Sequence, residues 1–172
     1  MSKTFVDNNY YDFKMSYNIK TAYISDVQAM RDLNELTLPE NYSLDEWKSV
    51  LSTYPDASIC AWNGSENNKT LVGYVLVLLN SSFFSMKREA HIASFAVHPD
   101  YRKLGIGKSL LDACFKTICQ NGFSTVSLNV RVDNVAALAL YRKSGFHVEY
   151  EQRGYYVDGT NAYNMVKNLN TV

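Results

Sequence analysis

The chain has no excess of either charge, because 17 lysine and arginine residues are matched by 17 aspartate and glutamate residues over 172 positions. Nucleic-acid-binding domains usually carry a basic excess, so we predict no nucleic-acid partner. Long apolar runs are also absent: the longest, at 71–79, has the length of a strand and is interrupted by Gly73. A helix that spans a bilayer needs about 20 apolar residues, so we predict no membrane partner.

Cysteine is scarce: the chain has three, Cys60, Cys114 and Cys119, and none lies in a C-x-x-C spacing. We therefore predict buried thiols in a reducing cytoplasm, and we predict no metal site. A catalytic cysteine is disfavoured, because Cys114 and Cys119 lie in a predicted helix with no histidine nearby in sequence. The polar, aromatic N-terminus also lacks the apolar region of a signal peptide.

The length of the chain favours one domain with a full-sized core. Residues 1–16 are polar and rich in tyrosine, without a clear period, and we predict a flexible N-terminal extension there. Residues 17–172 show no internal repeat and no change in composition. We therefore predict that they form a single domain.

Apolar periodicity alternates between strands and helices along the chain. Capping-box patterns at Ser25–Gln28 and Ser43–Glu46 begin two helices, and two more helices follow the fourth and fifth strands. The strands are predicted at 17–23, 57–62, 71–79, 90–97, 125–130, 146–153 and 161–167. Some are joined by hairpin-length loops and others by helices. This predicts an α/β fold with a central mixed, largely antiparallel sheet of about seven strands and helices on both faces.

A glycine-containing loop lies between the predicted strand 90–97 and the helix that follows it. Its residues are Arg102, Lys103, Leu104, Gly105, Ile106 and Gly107. Such a loop leaves backbone N–H groups without partners where the helix dipole is positive, which suits a phosphate or pyrophosphate. Arg102 and Lys103 add charge, and glycines at 105 and 107 remove Cβ atoms that would keep a ligand from the backbone.

Three interpretations of this loop compete. Gly107-Lys108-Ser109 resembles the end of the nucleotide-binding pattern G-x-x-x-x-G-K-[ST], but Arg102 stands where that pattern requires glycine. The second interpretation is R-x-x-G-x-G, the pyrophosphate loop of an acyl-coenzyme A enzyme. The third is an incidental glycine-rich turn. The position between strand and helix, with a second strand and helix following, favours the acyl-coenzyme A loop.

Residues 90–146 resemble the core of the GCN5-related N-acetyltransferase (GNAT) family, whose members mostly move an acetyl group from acetyl-CoA to an amine. Three more segments resemble the protein N-terminal acetyltransferases of the NatA type, including stand-alone archaeal forms. They are the Leu-Pro-Glu-Asn-Tyr loop at 38–42, the Arg-Val-Asp-Asn junction at 131–134, and Tyr-Tyr-Val-Asp-Gly at 155–159 with Ala162. The resemblance covers roughly residues 18–169 and implies acetyl-CoA as the cofactor.

The resemblance also implies which residues hold this cofactor. Val97 would supply main-chain bonds to the pantetheine arm, beside a splayed neighbouring strand. Asn134 and Tyr141 would flank the pantetheine and the sulfur. The amides that would hold the pyrophosphate are those of Lys103, Leu104, Gly105, Ile106, Gly107 and Lys108, with Arg102 adding charge.

Tyr141 is the predicted proton donor to the departing thiolate, since a phenol can donate within hydrogen-bond reach; the alternative is a purely packing role. The attacking amine must be neutral, and Glu40 and His91 are the candidate bases, acting through water. The alternatives are a solvated loop charge for Glu40 and a structural histidine for His91. Several relatives carry histidine where this chain has Asn129, which cannot accept the proton.

The predicted substrate-binding residues are Leu38, Pro39, Glu40, Tyr42, Tyr155 and Tyr156. Tyrosines suit this role because they bond a peptide backbone and wall off a small first side chain. We predict that the partners are protein and peptide N-termini beginning with Ser, Ala, Thr or Gly, with Met left open. An auxiliary subunit and a ribosome contact also stay open. The rival hypotheses are acetylation of a lysine, a ribosomal protein or a small amine, a non-catalytic acyl-CoA-binding subunit, and a nucleotide-binding module.

Overall fold

A computed structural model describes residues 17–65, 68–81 and 88–169. The predicted N-terminal extension at 1–16 lies outside these residues, and so does most of the predicted loop at 80–89. Among the described residues, no helix is long and apolar enough to cross a membrane.

A seven-stranded mixed sheet forms the centre of the fold. Its strands are β1 (Tyr17–Thr21), β2 (Ile59–Ser65), β3 (Asn68–Ser81), β4 (Arg88–Val97), β5 (Thr125–Arg131), β6 (His147–Gln152) and β7 (Ala162–Asn168). Their order across the sheet is β1-β2-β3-β4-β5-β7-β6. Only β4 and β5 pair in parallel, and the other neighbours are antiparallel. The predicted sheet is confirmed.

Helices cover both faces of this sheet. They are α1 (Val27–Thr37), α2 (Leu44–Thr53), α3 (Ile106–Gln120) and α4 (Val135–Lys143), with short 3-10 helices at Ile24–Asp26 and Pro99–Tyr101. The α1 and α2 side chains Met30, Leu33 and Trp47 pack against one face, and Leu110 of α3 and Leu138 of α4 pack against the other. Burial of these apolar stripes fixes the helices to the sheet.

Strands β4 and β5 separate at the centre of the sheet. They pair over four positions, from Glu89↔Thr125 to Ile92↔Leu128, and then both continue without pairing to each other. A bulge in the β3–β4 pairing leaves Ala93 without a partner between Ile92 and Ser94. The result is an opening at the carboxyl ends of two central strands, where α3 and α4 also begin.

Two local predictions need correction. The first helix does not begin with a Ser25–Gln28 capping box; instead the carboxylate of Asp26 accepts the Tyr23 N–H at 2.9 Å, which starts the short 3-10 helix. The β2–β3 hairpin is also longer than predicted, because its strands extend through Ser65 and from Asn68. The second capping box is confirmed: Ser43 Oγ accepts the Glu46 N–H, and the Glu46 carboxylate accepts the Ser43 N–H.

Candidate active site

The loop before α3 presents unbonded amides, as predicted. The first helical bond of α3 runs from the Ser109 N–H to the Gly105 carbonyl at 3.0 Å, and the amides of residues 103–108 have no acceptor among the described residues. Lys103 (φ 63°) and Gly105 (φ 82°) both adopt the left-handed conformation, which turns the chain into the helix. The segment is therefore a helix N-terminus with its donors open to a phosphate.

The two glycines of this loop have different roles. A Cβ at Gly105 would meet no protein atom within 4 Å, and the positive φ of this residue calls for glycine. A Cβ at Gly107 would lie 3.1 Å from Leu140 Cδ2 and 3.3 Å from Phe95 Cζ. Gly107 therefore allows α3 to pack closely on α4 and β4. That it also clears space for a ligand stays a prediction.

Two charged side chains of this segment, those of Arg102 and Lys108, are already bonded within the protein. Arg102 Nε donates to the Val97 carbonyl at 3.1 Å, and Lys108 forms an ion pair with Asp112 one turn along α3. Leu104 is exposed, whereas the side chain of Ile106 is buried in the core, so residue 106 offers only its amide. Backbone groups rather than side-chain charges are thus the main feature of this loop.

Backbone donors also face the gap between β4 and β5. The His98 N–H bonds to the Val72 carbonyl of β3 at 2.9 Å. Because neighbouring residues of a strand point their amides in opposite directions, the N–H groups of Phe95 and Val97 point toward β5, where the ladder has ended. Across the gap, Asn134 Oδ1 caps α4 by accepting the Ala137 N–H at 3.1 Å. This leaves the Asn134 amide nitrogen without a partner among the described residues.

Tyr141 lies on α4 beside this gap. Its side chain is 6% exposed and its ring packs against Phe95 and Phe146, with centroids 6.0 and 5.7 Å away. Burial raises the pKa of Tyr141, and Tyr156 raises it further. Within the described part of the chain, only Ser144 has a fully enclosed, unbonded side-chain oxygen. The Tyr141 hydroxyl stays protonated at neutral pH.

His91 lies on β4 before the bulge. Its Nδ1 is 2.9 Å from Ser127 Oγ on the paired position of β5. Burial lowers the pKa of His91, although nearby Glu89 opposes this shift. The imidazole is therefore neutral near pH 7 and able to accept a proton.

Glu40 is held by the loop between α1 and α2. Its carbonyl accepts a hydrogen bond at 2.7 Å from Nδ2 of Asn34, which is fully buried on α1. Asn34 Oδ1 in turn accepts from Tyr74 and Ser94, at 2.6 and 3.0 Å. This buried network ties the loop to β3 and β4, and so places Glu40 over the carboxyl ends of the central strands.

Arg131, at the end of β5, joins the two loops that border the opening. Its Nε and Nη2 donate to Glu40 Oε1 at 3.0 and 2.8 Å, and its Nη1 donates to Asp158 Oδ2 at 2.8 Å. Its guanidinium carbon lies 4.2 Å from the ring centroid of Tyr156. Arg131 holds the pKa of the Asp158 carboxyl down to about 2. Among the described residues, no hydrogen bond joins Glu40 directly to His91, and their shared action through a water stays a prediction.

Tyrosines line the same opening from both loops. The Tyr42 hydroxyl donates to the carbonyl of the bulged residue Ala93 at 3.1 Å. The Tyr155 hydroxyl accepts from Asn129 Nδ2 at 3.1 Å, and Asn129 Oδ1 accepts from Asn164 at 3.0 Å. Of the other predicted substrate residues, Tyr156 packs edge-on against Tyr155, Leu38 packs against the core and Pro39 is exposed.

Asn34 and Arg131 are positions to which the sequence analysis gave no role. Each carried a signal. Asn34 is a polar residue beside Leu33 on the apolar face of a predicted helix. Arg131 is the last of four polar residues that alternate along β5, after Thr125, Ser127 and Asn129, and alternation places all four on one face.

Known proteins share this fold. Residues 27–146 match the acetyltransferase (GNAT) family, so the chain belongs to that family. It is 36% identical over 160 residues to an N-alpha-acetyltransferase of Sulfurisphaera tokodaii, covering 89% of this chain and 93% of the relative.

Two solved structures extend this comparison. The crystal structure of Ard1 from Thermoplasma volcanium matches with a TM-score of 0.78 and 26% identity, covering 90% of this chain and 98% of that one. A chain of the NatC complex, crystallised with Gag peptide and CoA, has a TM-score of 0.83, 23% identity and coverage of 91% of this chain and 100% of that one. The second likeness concerns the fold alone. The resemblance drawn from the sequence is confirmed.

Proposed function

We propose that the chain transfers an acetyl group from acetyl-CoA to the α-amino group of protein N-termini that begin with a small residue. One observation carries this proposal: unbonded donor amides and a tyrosine-lined opening lie at the same end of the sheet, where β4 and β5 separate. The relatives named above as N-alpha-acetyltransferase and Ard1 support it.

Backbone groups of the chain fit the cofactor. The free amides of residues 103–108 suit its pyrophosphate. The N–H groups of Phe95 and Val97 and the amide nitrogen of Asn134 suit the polar pantetheine arm. Acetyl-CoA supplies the thioester whose acetyl group is transferred.

Tyr141 is the proposed general acid. Its raised pKa keeps the hydroxyl protonated at neutral pH, and its place on α4 beside the gap lets it donate to a departing thiolate. Ring packing against Phe95 and Phe146 holds the side chain in one orientation.

The attacking amine needs only a weak base. A peptide α-amino group has a pKa of about 8, so roughly a tenth of it is neutral at pH 7. A lysine side chain has a pKa of about 10.4, so its neutral fraction is far smaller. His91 is neutral and hydrogen-bonded to Ser127, which supports it as the base acting through water. Glu40 has a different proposed role: its carboxylate accepts a hydrogen bond from the substrate amine.

The substrate terminus enters between the two loops. Tyr42, Tyr155 and Tyr156 present aromatic walls and hydroxyl groups that suit a peptide backbone and a short first side chain. We place the reaction in the cytoplasm, because all three cysteines are free. An auxiliary subunit or the ribosome is a further candidate partner. The domain that performs it is residues 17–172, preceded by an N-terminal extension.

A peptide panel tests the proposal. The purified protein is given acetyl-CoA and peptides that begin with Ser, Ala, Thr, Gly or Met, together with a peptide whose α-amine is blocked but which contains lysine. We expect kcat/KM to be at least about tenfold higher for the small first residues. Preference for the blocked lysine peptide, or acetyl-CoA binding without turnover of any peptide, overturns it. Tight binding of ATP in place of acetyl-CoA in calorimetry also does so.

A further inference from the structure

We infer that Asn164 is a positioning residue: acting through Asn129, it holds the Tyr155 oxygen as a hydrogen-bond acceptor and so turns the Tyr155 O–H toward the tyrosine-lined opening. This inference deepens the proposed function and rests on it. The three side chains form one chain of hydrogen bonds that runs from β7 through β5 to the loop at 155–159.

The sheet brings the two asparagines together. Asn129 and Asn164 lie directly opposite each other in the antiparallel β5–β7 pairing. Opposite residues of such a pair have side chains on the same face, with Cβ atoms about 5 Å apart. Their neighbours Leu128 and Met165 face the core, so the asparagines lie on the other face. Asn164 is 8% exposed, and its strand lies between β5 and β6. The sheet itself therefore sets the position of the Asn164 side chain.

Hydrogen bonds set the direction of the Asn129 side chain. Asn164 Nδ2 donates to Asn129 Oδ1 at 3.0 Å. A carboxamide carries its acceptor oxygen and its donor nitrogen on separate arms, so an oxygen engaged by Asn164 leaves the nitrogen on the other side. That nitrogen, Asn129 Nδ2, donates to the Tyr155 oxygen at 3.1 Å. Asn129 thus acts on Tyr155 as a donor.

The proton of the Tyr155 hydroxyl is left available. A tyrosine hydroxyl has one proton to donate and can also accept. Asn129 uses the accepting side of the Tyr155 oxygen, and the proton has no acceptor among the described residues. Tyr155 is 43% exposed at the opening, so its O–H can reach a group bound there. On a peptide substrate the matching group is a backbone carbonyl oxygen.

Asn129 alone would not ensure this polarity. The χ2 torsion of an asparagine is broad and roughly twofold, so the amide could also turn Oδ1 toward Tyr155. The hydroxyl would then donate to Asn129, and its proton would be lost to the substrate. While Asn164 donates, that turn would set two N–H donors against each other and leave a hydrogen bond unmade. Asn164 is therefore the residue that selects the direction.

The first test compares Asn164→Ala with Asn168→Ala. Asn168 is a matched control, because it lies on the same strand and the same face, is exposed, and makes no side-chain hydrogen bond among the described residues. For a peptide that begins with Ser, we expect Asn164→Ala to raise KM about threefold, as partial loss of one hydrogen bond would. The kcat should stay within about twofold and acetyl-CoA affinity should not change. An unchanged KM in Asn164→Ala, or an equal rise in Asn168→Ala, overturns the inference.

A second test reverses the polarity. In Asn129→Asp the ionised side chain can only accept, so it should take the Tyr155 proton and raise KM about fivefold. Tyr155→Phe should raise KM by a similar factor. The double variant Asn129→Asp with Tyr155→Phe should match Tyr155→Phe within about twofold, because no proton is left to redirect. A full further rise of KM in the double variant would show that Asn129→Asp acts by charge or loop distortion, and it would overturn the inference. If Asn164→Ala does not fold, this cycle decides.

A measurement on the free protein separates this inference from the proposed function. The side-chain NH2 signal of Asn129 in an NMR spectrum is identified by its loss in Asn129→Asp. It should shift in Tyr155→Phe and in Asn164→Ala, but not in Asn168→Ala. These shifts without turnover of any peptide would reject the function and keep the positioning role. An unshifted Asn129 signal in Tyr155→Phe would reject the positioning role, whatever the substrate.

Discussion

The segment at 103–108 presents backbone amides, whereas the loops at 38–42 and 155–159 present side chains bonded to one another. The first, the donor side, is built from consecutive residues at the start of one helix. The second, the acceptor side, depends on Asn34 of α1 and on Arg131 of β5, which lie outside both loops. Changes on the donor side should therefore affect acetyl-CoA binding, and changes on the acceptor side should affect peptide binding.

The largest expected effect is that of a change at Tyr141, which lies between the donor side and the acceptor side. Tyr141→Phe keeps the ring that packs against Phe95 and Phe146 but removes the hydroxyl. Loss of a general acid typically costs about 100-fold or more in rate. We expect kcat to fall by about that factor, with acetyl-CoA affinity and peptide KM within about twofold of the wild type. Unchanged turnover in steady-state assays would remove Tyr141 from the acid role.

Asn34→Ala should weaken the acceptor side alone. The substitution removes a fully buried amide that bonds the Glu40 carbonyl, Tyr74 and Ser94. Leaving buried polar groups unpaired costs about 1–3 kcal/mol, so Tm should fall by several degrees, measured by calorimetry, and peptide KM should rise. Asn121→Ala is the control, because the Asn121 amide bonds the Thr117 carbonyl at an exposed position. A loss of acetyl-CoA affinity as large as the loss of peptide affinity would contradict the separation of the two sides.

Gly107→Ala and Gly105→Ala probe the donor side. The new Cβ at residue 107 would crowd Leu140 and Phe95, and overpacking of this kind costs about 1–3 kcal/mol. The Cβ at residue 105 meets nothing, but the left-handed conformation costs about 1–2 kcal/mol. We expect both variants to lower Tm by a few degrees and to weaken acetyl-CoA binding in calorimetry by about tenfold, with peptide KM little changed. A change confined to peptide KM would contradict the assignment of this loop to acetyl-CoA binding.

The smallest effect is the pH dependence of stability due to His91. The unfolded imidazole titrates near pH ~6.5, and burial lowers the pKa of His91 in the folded protein. Below pH ~6.5 the unfolded chain therefore binds more protons, and stability is lost as pH falls toward the folded pKa. From pH 7 to 5, the Tm of the wild type should fall by a few degrees more than that of His91→Asn. Parallel Tm curves would show that His91 is not buried as a neutral base.

The sequence predicted the donor side better than the acceptor side for a physical reason. The loop amides and the Asn134 cap depend on residues within a few positions of one another, so local patterns reveal them. Glu40 and Arg131 are 91 positions apart and meet only after the sheet has formed. The motif around Glu40 was visible, but its ion pair was not. The packing role of Gly107 was not predicted, because its neighbours, Phe95 and Leu140, come from two other elements.

The early end of the β4–β5 ladder has a consequence for how the protein responds to solvent. Central strands normally exchange their amide hydrogens slowly, since neighbours on both sides protect them. Phe95 and Val97 lie on a central strand, yet their N–H groups face a gap. In the free protein, the amides of Phe95 and Val97 should exchange faster than those of Ala96 and His98. When a bound acetyl-CoA pairs with them, the four amides should exchange at similar rates.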